Sequence, residues 1–163
     1  MERLWSPWRM EYLEAARDEG SDGCVFCDLL EGDDPDGARV LARGDLAFVT
    51  LAKYPYNPGH LLILPTRHTG ELEDLTAQEH AAIAELLRRS ILALRETSDP
   101  HGFNIGLNLG RVAGAGIPGH LHWHVVPRWG GDTNFMPVIG QTRVLPELLE
   151  ESHRKLAPRF AEP

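Results

Sequence analysis

The sequence predicts an α+β fold: a five-stranded antiparallel sheet with one long helix and a short C-terminal helix. Three observations carry that prediction. Short apolar runs are separated by tight turns rich in Gly, Asp, Asn and Pro, a spacing that favours antiparallel neighbours. One segment, Ala81–Leu94, repeats apolar residues with the period of a helix. The chain has 163 residues, 42% hydrophobic and 25% charged, which suits one ordinary globular domain. Residues 1–163 are therefore read as a single domain, with an N-terminal extension over 1–20 and a C-terminal tail over 137–163.

Taken in order, Arg17–Gly23 is an acidic loop leading into Cys24-Val-Phe-Cys27, then a short turn or helix. Gly32–Gly37 is a turn cluster. Ala38–Arg43 and Leu46–Leu51 are strand candidates joined by a tight turn at Gly44-Asp45. Tyr54–Gly59 is a turn-rich link, and His60–Leu64 is an apolar run ending at Pro65, a third strand. Thr76 with Glu79 three residues on forms a capping box, and Leu75 with His80 is placed for a weak hydrophobic staple. Ile83, Leu86, Leu87, Ile91 and Leu94 then mark one helix face, and Asp99-Pro100 ends the helix. Phe103–Leu109 reads as the fourth strand. Gly110–Gly119, with four Gly and one Pro, is a loop. His120–Val126 is the fifth strand, stopped by Pro127. Pro146 suits the first turn of a last helix reaching about Leu156.

Composition excludes several function classes. Lys and Arg number 16 against 24 Asp and Glu, a net charge of −8. Non-specific grip on nucleic acid needs a basic surface, so no nucleic-acid partner is expected. A small phosphate ligand in a locally positive pocket remains compatible. No apolar run approaches the ~20 residues of a membrane helix, so no membrane partner is expected. Met1–Arg9 carries charge and two Trp without an apolar h-region, so it is not read as a signal peptide, and the expected location is cytoplasmic. The two cysteines, Cys24 and Cys27, are spaced C-x-x-C. In a reducing compartment they suit a metal site or a redox pair better than a structural disulfide.

The chemistry concentrates in His120-Leu-His122-Trp-His124-Val-Val126. On a strand, His120, His122 and His124 share one face at ~6.5–7 Å spacing, while Leu121, Trp123 and Val125 share the other. Three readings fit: a polar solvent face, a three-histidine metal site with an open position, or a nucleophilic histidine with two helpers. The glycine-rich loop before the strand lets backbone N–H groups approach an anion closely, which would set a phosphate beside His122. Neutral imidazole is a competent nucleophile toward phosphorus when a hydrogen bond from Nδ1–H fixes its tautomer.

The pattern H-φ-H-φ-H-φ-φ, met at all seven positions by His120–Val126, resembles the histidine triad (HIT) superfamily of nucleotide hydrolases and nucleotidyltransferases. Asn57-Pro-Gly-His60-Leu-Leu-Ile-Leu-Pro65 resembles its second block, and Asn108 before the glycine loop fits a third. The tail Pro127–Met136 looks most like the bacterial branch related to diadenosine tetraphosphate phosphorylases. The resemblance implies a HIT-like fold and a homodimer that joins two sheets. It implies that His122 attacks the α-phosphorus of an adenine nucleotide and forms a nucleotidyl-histidine. His124 would contact the phosphoryl or bridging oxygens, and His60 would orient the nucleophile. Asn108 and the loop glycines Gly114, Gly116 and Gly119 would touch phosphate. Phe48 is either a base-pocket residue or core.

Resemblance to the zinc-bearing members also implies a ligand set, Cys24, Cys27, His68 and His120, for a structural zinc ion that pins the strand. A redox role for the cysteines would need a following helix in a βαβ context, which the sequence does not suggest. At Ala52 the chain departs from the family's usual Asp or Asn. Two rival functions share the same residues: a nucleoside phosphoramidase using His122, and a non-enzymatic nucleotide-binding module. Trp5, Trp8 and Tyr12 are read as packing or a subunit contact.

Overall fold

The computed structural model describes residues 23–32, 39–132 and 145–161. The N-terminal extension with Trp5, Trp8 and Tyr12, most of the Gly32–Gly37 turn cluster, and the start of the C-terminal tail lie outside the described residues. The elements are α1 (Val25–Glu31), β1 (Val40–Arg43), β2 (Ala47–Leu51), β3 (Leu61–Pro65) and a 3₁₀ turn (Leu72–Asp74). They continue with α2 (Ala77–Ser98), β4 (Gly102–Leu107), β5 (Trp123–Arg128) and α3 (Leu149–Phe160). Five strands form one antiparallel sheet in the order β1-β2-β3-β5-β4, as the turn spacing predicts. Because β3 and β4 both run antiparallel to β5, they are parallel to each other. The long helix α2 makes the return crossing between them.

Register sorts the sheet into two faces. His124 pairs with Leu62 on β3 and Gly106 on β4, and Val125 pairs with Leu61 and Ile105. Across β2–β5, odd-numbered residues therefore share one side and even-numbered residues the other. Val49, Leu51, Leu61, Ile63 and Val125 pack with Ile83 and Leu94 of α2 and with Leu156 and Phe160 of α3. On the opposite side Phe48, Ala52, Leu62 and Leu64 pack with Phe26 and Leu29 of α1. Helices thus cover β2 and β3 on both faces, and every residue of both strands is buried. That double burial is why these strands read as continuous apolar runs rather than alternating ones.

The capping box forms as read: Glu79 N donates to Thr76 Oγ1 at 3.2 Å, and Thr76 N donates to Glu79 Oε2 at 2.8 Å. The staple does not. Leu75 joins the helix-side core while His80 stays exposed. Asp99, left-handed at φ 43°, caps the far end.

The fifth strand is shifted from the predicted His120–Val126 to Trp123–Arg128. Before it, His120 N and Leu121 N donate to the loop carbonyls of Ile117 and Thr69, so the ladder has not begun. At the other end Pro127 does not stop the strand. Its carbonyl faces Asn57, beyond the start of β3, so its missing N–H removes no ladder bond. Arg128 O accepts from His101 N toward β4. The last helix starts later and runs longer than expected, because Ser152, Leu156 and Phe160, at four-residue spacing, carry its buried face to Phe160. The short turn or helix expected at the cysteine motif is a helix, and Cys24 is the N-cap of α1. That helix leads into the antiparallel β1–β2 pair, not a parallel βαβ unit.

Candidate active site and metal centre

The Asn57-Pro-Gly-His60 turn delivers His60 to the even-numbered face. Asn57 is buried, and its Nδ2 donates to Pro127 O and to Asp132 Oδ2, both at 2.8 Å. Gly59 has φ +73°, and a Cβ there would lie 2.9 Å from Leu94 Cδ2. Only glycine meets both demands without strain. His60 N then donates to Asn57 O, and Ala52 N donates to His60 O, which locks the turn against the end of β2.

Hydrogen bonds assign the tautomers of three rings in turn. Tyr56 N donates to His60 Nδ1 at 3.1 Å, so neutral His60 carries its proton on Nε2. That Nε2–H lies 3.0 Å from His124 Nδ1 and donates to it. Neutral His124 therefore carries its proton on Nε2. Tyr56 stacks on both rings, with centroids 5.0 Å from His60 and 6.0 Å from His124. His122 follows a different rule: its Nδ1–H donates to His120 O at 2.8 Å, leaving the lone pair on Nε2. Burial pushes the His122 pKa down, against the opposing pull of that carbonyl bond. The ring is 6% exposed, against Phe26, with its centroid 5.2 Å from that of His124. The site thus pairs a neutral nitrogen lone pair with an adjacent N–H donor.

A cleft of about 390 Å³ opens at His124 and is lined by Tyr56, Asn104, Asn108 and Arg128 among others. Asn108 thus shares this cleft with His124. Phe48 is not on an open wall. It is fully buried under α1, edge-on to the His120 ring, because α1 covers that face of β2. Ala52 lies in the same buried cluster. Within the glycine loop, Gly114 N donates to Arg111 O at 3.0 Å, so this N–H shapes the loop's own turn rather than presenting itself to an anion. Gly116 is half-buried, and Gly119 lies against His68, where a Cβ would be 3.6 Å from Nε2.

His120 does not join the other two triad histidines. It is fully buried, and its Nε2–H donates to Pro65 O at 2.9 Å. That bond turns Nδ1 toward the cysteines, 3.4 Å from Cys24 Sγ and 3.7 Å from Cys27 Sγ. His68 Nδ1 lies 3.4 Å from Cys27 Sγ. Cys24 and Cys27 meet these rings because the N-cap and third helical position share one side of the first turn. His68 arrives because its loop is held to the strand entry. Thr69 O accepts from Leu121 N at 2.8 Å, and a Cβ on Gly70 would sit 2.5 Å from Pro118 O.

The four ligand atoms lie within 4.8 Å of one another and can hold a metal ion. A tetrahedral ion ~2.3 Å from sulfur and ~2.0–2.1 Å from nitrogen would keep S and N about 3.5 Å apart, close to the separations found. The Pro65 carbonyl supplies the orienting partner that a ligating imidazole needs. Burial, followed by the neighbouring Cys24, pushes the Cys27 thiol up to about 11. A reactive redox cysteine needs the opposite shift.

Sequence reading missed Tyr56, Asn104 and Phe26, and it cited Arg128 and Asp132 only as part of the tail.

Comparison with known proteins agrees with this geometry. The HIT domain family matches residues 36–131. The AP-4-A phosphorylase of Mycobacterium tuberculosis is 46% identical over 167 residues, covering 99% of this chain and 85% of the relative. The adenosine 5'-monophosphoramidase of Schizosaccharomyces pombe is 30% identical over 64% of this chain and 74% of its own length. Among solved structures, a Zn-bound histidine triad family protein from Mycobacterium smegmatis superposes with a TM-score of 0.70 at 34% identity, covering 88% of this chain and 96% of that one. Fold, triad and near full-length similarity together make this chain a member of the HIT family, and an enzyme.

Proposed function

We propose that the protein cleaves dinucleoside polyphosphates of the diadenosine tetraphosphate type by nucleotidyl transfer through His122. The observation that carries this reading is the Nδ1–H bond from His122 to His120 O, which leaves Nε2 as an unprotonated nucleophile beside His124. His122 Nε2 bonds to the α-phosphorus while the P–O bond to the bridging oxygen breaks. The departing ATP keeps the electron pair, and His124 Nε2–H supplies the donor for that oxygen. His60 is a positioning residue, because its Nε2–H fixes the His124 tautomer. Asn108 is assigned to a phosphoryl oxygen, with Gly116 and Gly119 shaping the loop beside it. The AMP left on His122 is then released by an acceptor. The 46% identity to the M. tuberculosis AP-4-A phosphorylase favours inorganic phosphate as that acceptor, giving ADP.

The metal bound by Cys24, Cys27, His68 and His120 is proposed to be zinc in a closed, structural site, as the Cys₂His₂ donor set favours. It supplies no reacting group and holds β5 in register with α1. Two copies are proposed to join at β4, an edge strand among the described residues, where Ile105 is exposed. The proposed site of action is the cytoplasm.

Product analysis with diadenosine tetraphosphate tests the reading. ATP plus ADP, formed only with inorganic phosphate, is the expected result. ATP plus AMP without phosphate replaces phosphorolysis by hydrolysis. No turnover of the tetraphosphate, with turnover of adenosine 5'-phosphoramidate, moves the assignment to the phosphoramidase reading, which the S. pombe relative supports at lower identity.

A further inference from the structure

The cleft continues past His124 toward the C-terminal end of β5. There the even-numbered face carries Asn104 opposite Val126, then Gly102 opposite Arg128. Arg128 Nε and Nη2 donate to the two carboxylate oxygens of Asp132, the second bond at 2.9 Å. Its Nη1 donates to Asn104 Oδ1 at 2.6 Å. Asp132 in turn accepts from Asn57 Nδ2 at 2.8 Å and from Trp129 N at 3.3 Å. The guanidinium is thus fixed on two sides, over the Asn104–Val126 pair. That pair lies one strand repeat, ~7 Å, beyond His124.

The position is built to receive more than Asp132. Three of the five guanidinium N–H groups are committed in these bonds, and the side chain remains 41% exposed. Asn104 gives its Oδ1 to Arg128, so its amide N–H pair is left as a donor at the same place. Among the described residues no carboxylate lines the cleft, although the chain carries 24 Asp and Glu. The sequence from His124 to Arg128 is therefore a line of hydrogen-bond donors ending in a cation. An anion whose charges are spaced along its length matches it, and planar Arg is suited to bridging two phosphoryl oxygens.

We propose that Arg128, supported by Asn104, grips the phosphates beyond the scissile bond and so selects substrates with a long polyphosphate leaving group. This rests on the assignment of His122 as nucleophile. It adds the direction in which the leaving group extends and the residue that reads its length. As the P–O bond breaks, negative charge grows on the departing chain, and the fixed cation is placed to stabilise it.

The test compares the parent with Arg128→Gln on diadenosine tetraphosphate, using AMP, which has no distal phosphate, as a competitive inhibitor in the same assay. The expected result is a fall in kcat/KM of roughly 10- to 100-fold, the range for hydrogen bonds to a charged group. The Ki for AMP should stay within about threefold. An AMP Ki that weakens by the same factor as kcat/KM, or an unchanged kcat/KM, overturns the proposal and leaves His122 untouched. A parent that does not turn over the tetraphosphate overturns this proposal together with the dinucleoside polyphosphate reading. If Arg128→Gln unfolds because Asp132 loses its counter-ion, the Arg128→Gln/Asp132→Asn pair, neutral on both sides, carries the same comparison.

Discussion

Removing the proposed zinc should cost the protein a large part of its stability, and the size follows from where Cys24, Cys27, His68 and His120 sit. Cys24 and His120 are 96 residues apart in sequence, and His68 comes from a third segment. A link that closes about 100 residues removes ~4–5 kcal/mol of unfolded-chain entropy if treated as a cross-link. Mass action gives a similar figure: an ion present at a thousand times its dissociation constant stabilises by ~4 kcal/mol. For a domain of this size each kcal/mol moves Tm by roughly 2–4 °C, so about 8–20 °C should be lost. Scanning calorimetry with chelator, and again after zinc is restored, reads this directly. His68→Ala keeps three ligands and the half-exposed cysteines, so it should melt low and respond weakly to zinc. A parent whose Tm moves by less than about 2 °C in chelator, or a His68→Ala protein that responds as the parent does, would refute the reasoning.

Two further outcomes are expected. Gly59→Ala must adopt φ +73° and place a methyl 2.9 Å from Leu94 Cδ2. It should lose ~1–3 kcal/mol in urea denaturation, with kcat reduced because His60 follows in the chain; a fully stable and active variant contradicts that geometry. The Glu79 carboxyl, hydrogen-bonded first by Arg67 and then by the Thr76 backbone, is lowered from 4.5 to about 2. Its stabilisation is therefore present above pH 4.5 and lost as the pH falls toward 2. The Tm gap between parent and Glu79→Gln should be open at pH 6 and narrow at pH 3; a gap that widens in acid would contradict it.

Much of this architecture was legible from local chemistry. The turns, the capping box at Thr76 and the period of α2 are set by neighbouring residues. Alternation puts His120, His122 and His124 on one face, whereas in the structure only the His122 and His124 rings meet and His120 turns to the cysteines. The resemblance supplied the ligand set, and the structure brings those four residues together. What could not be read was long-range. The strand entry at Trp123 depends on Thr69, 52 positions from Leu121, taking a bond the ladder would otherwise claim. Pro127 inside β5 is tolerated only because β3 has ended beside it, which no local rule reports. Phe48 was ambiguous because its burial depends on α1 folding over from a distant segment. Asn104, Arg128 and Asp132 form a site only after β4 and β5 pair.

The most direct measurement is a search for the covalent intermediate itself. Enzyme mixed with excess diadenosine tetraphosphate in the absence of inorganic phosphate, quenched in alkali and digested, should yield one peptide carrying an added AMP on His122. Adding phosphate before the quench should discharge it as ADP, and His122→Ala should show neither adduct nor turnover. An adduct on another residue, or a His122→Ala protein within tenfold of the parent, would contradict nucleophilic attack by His122.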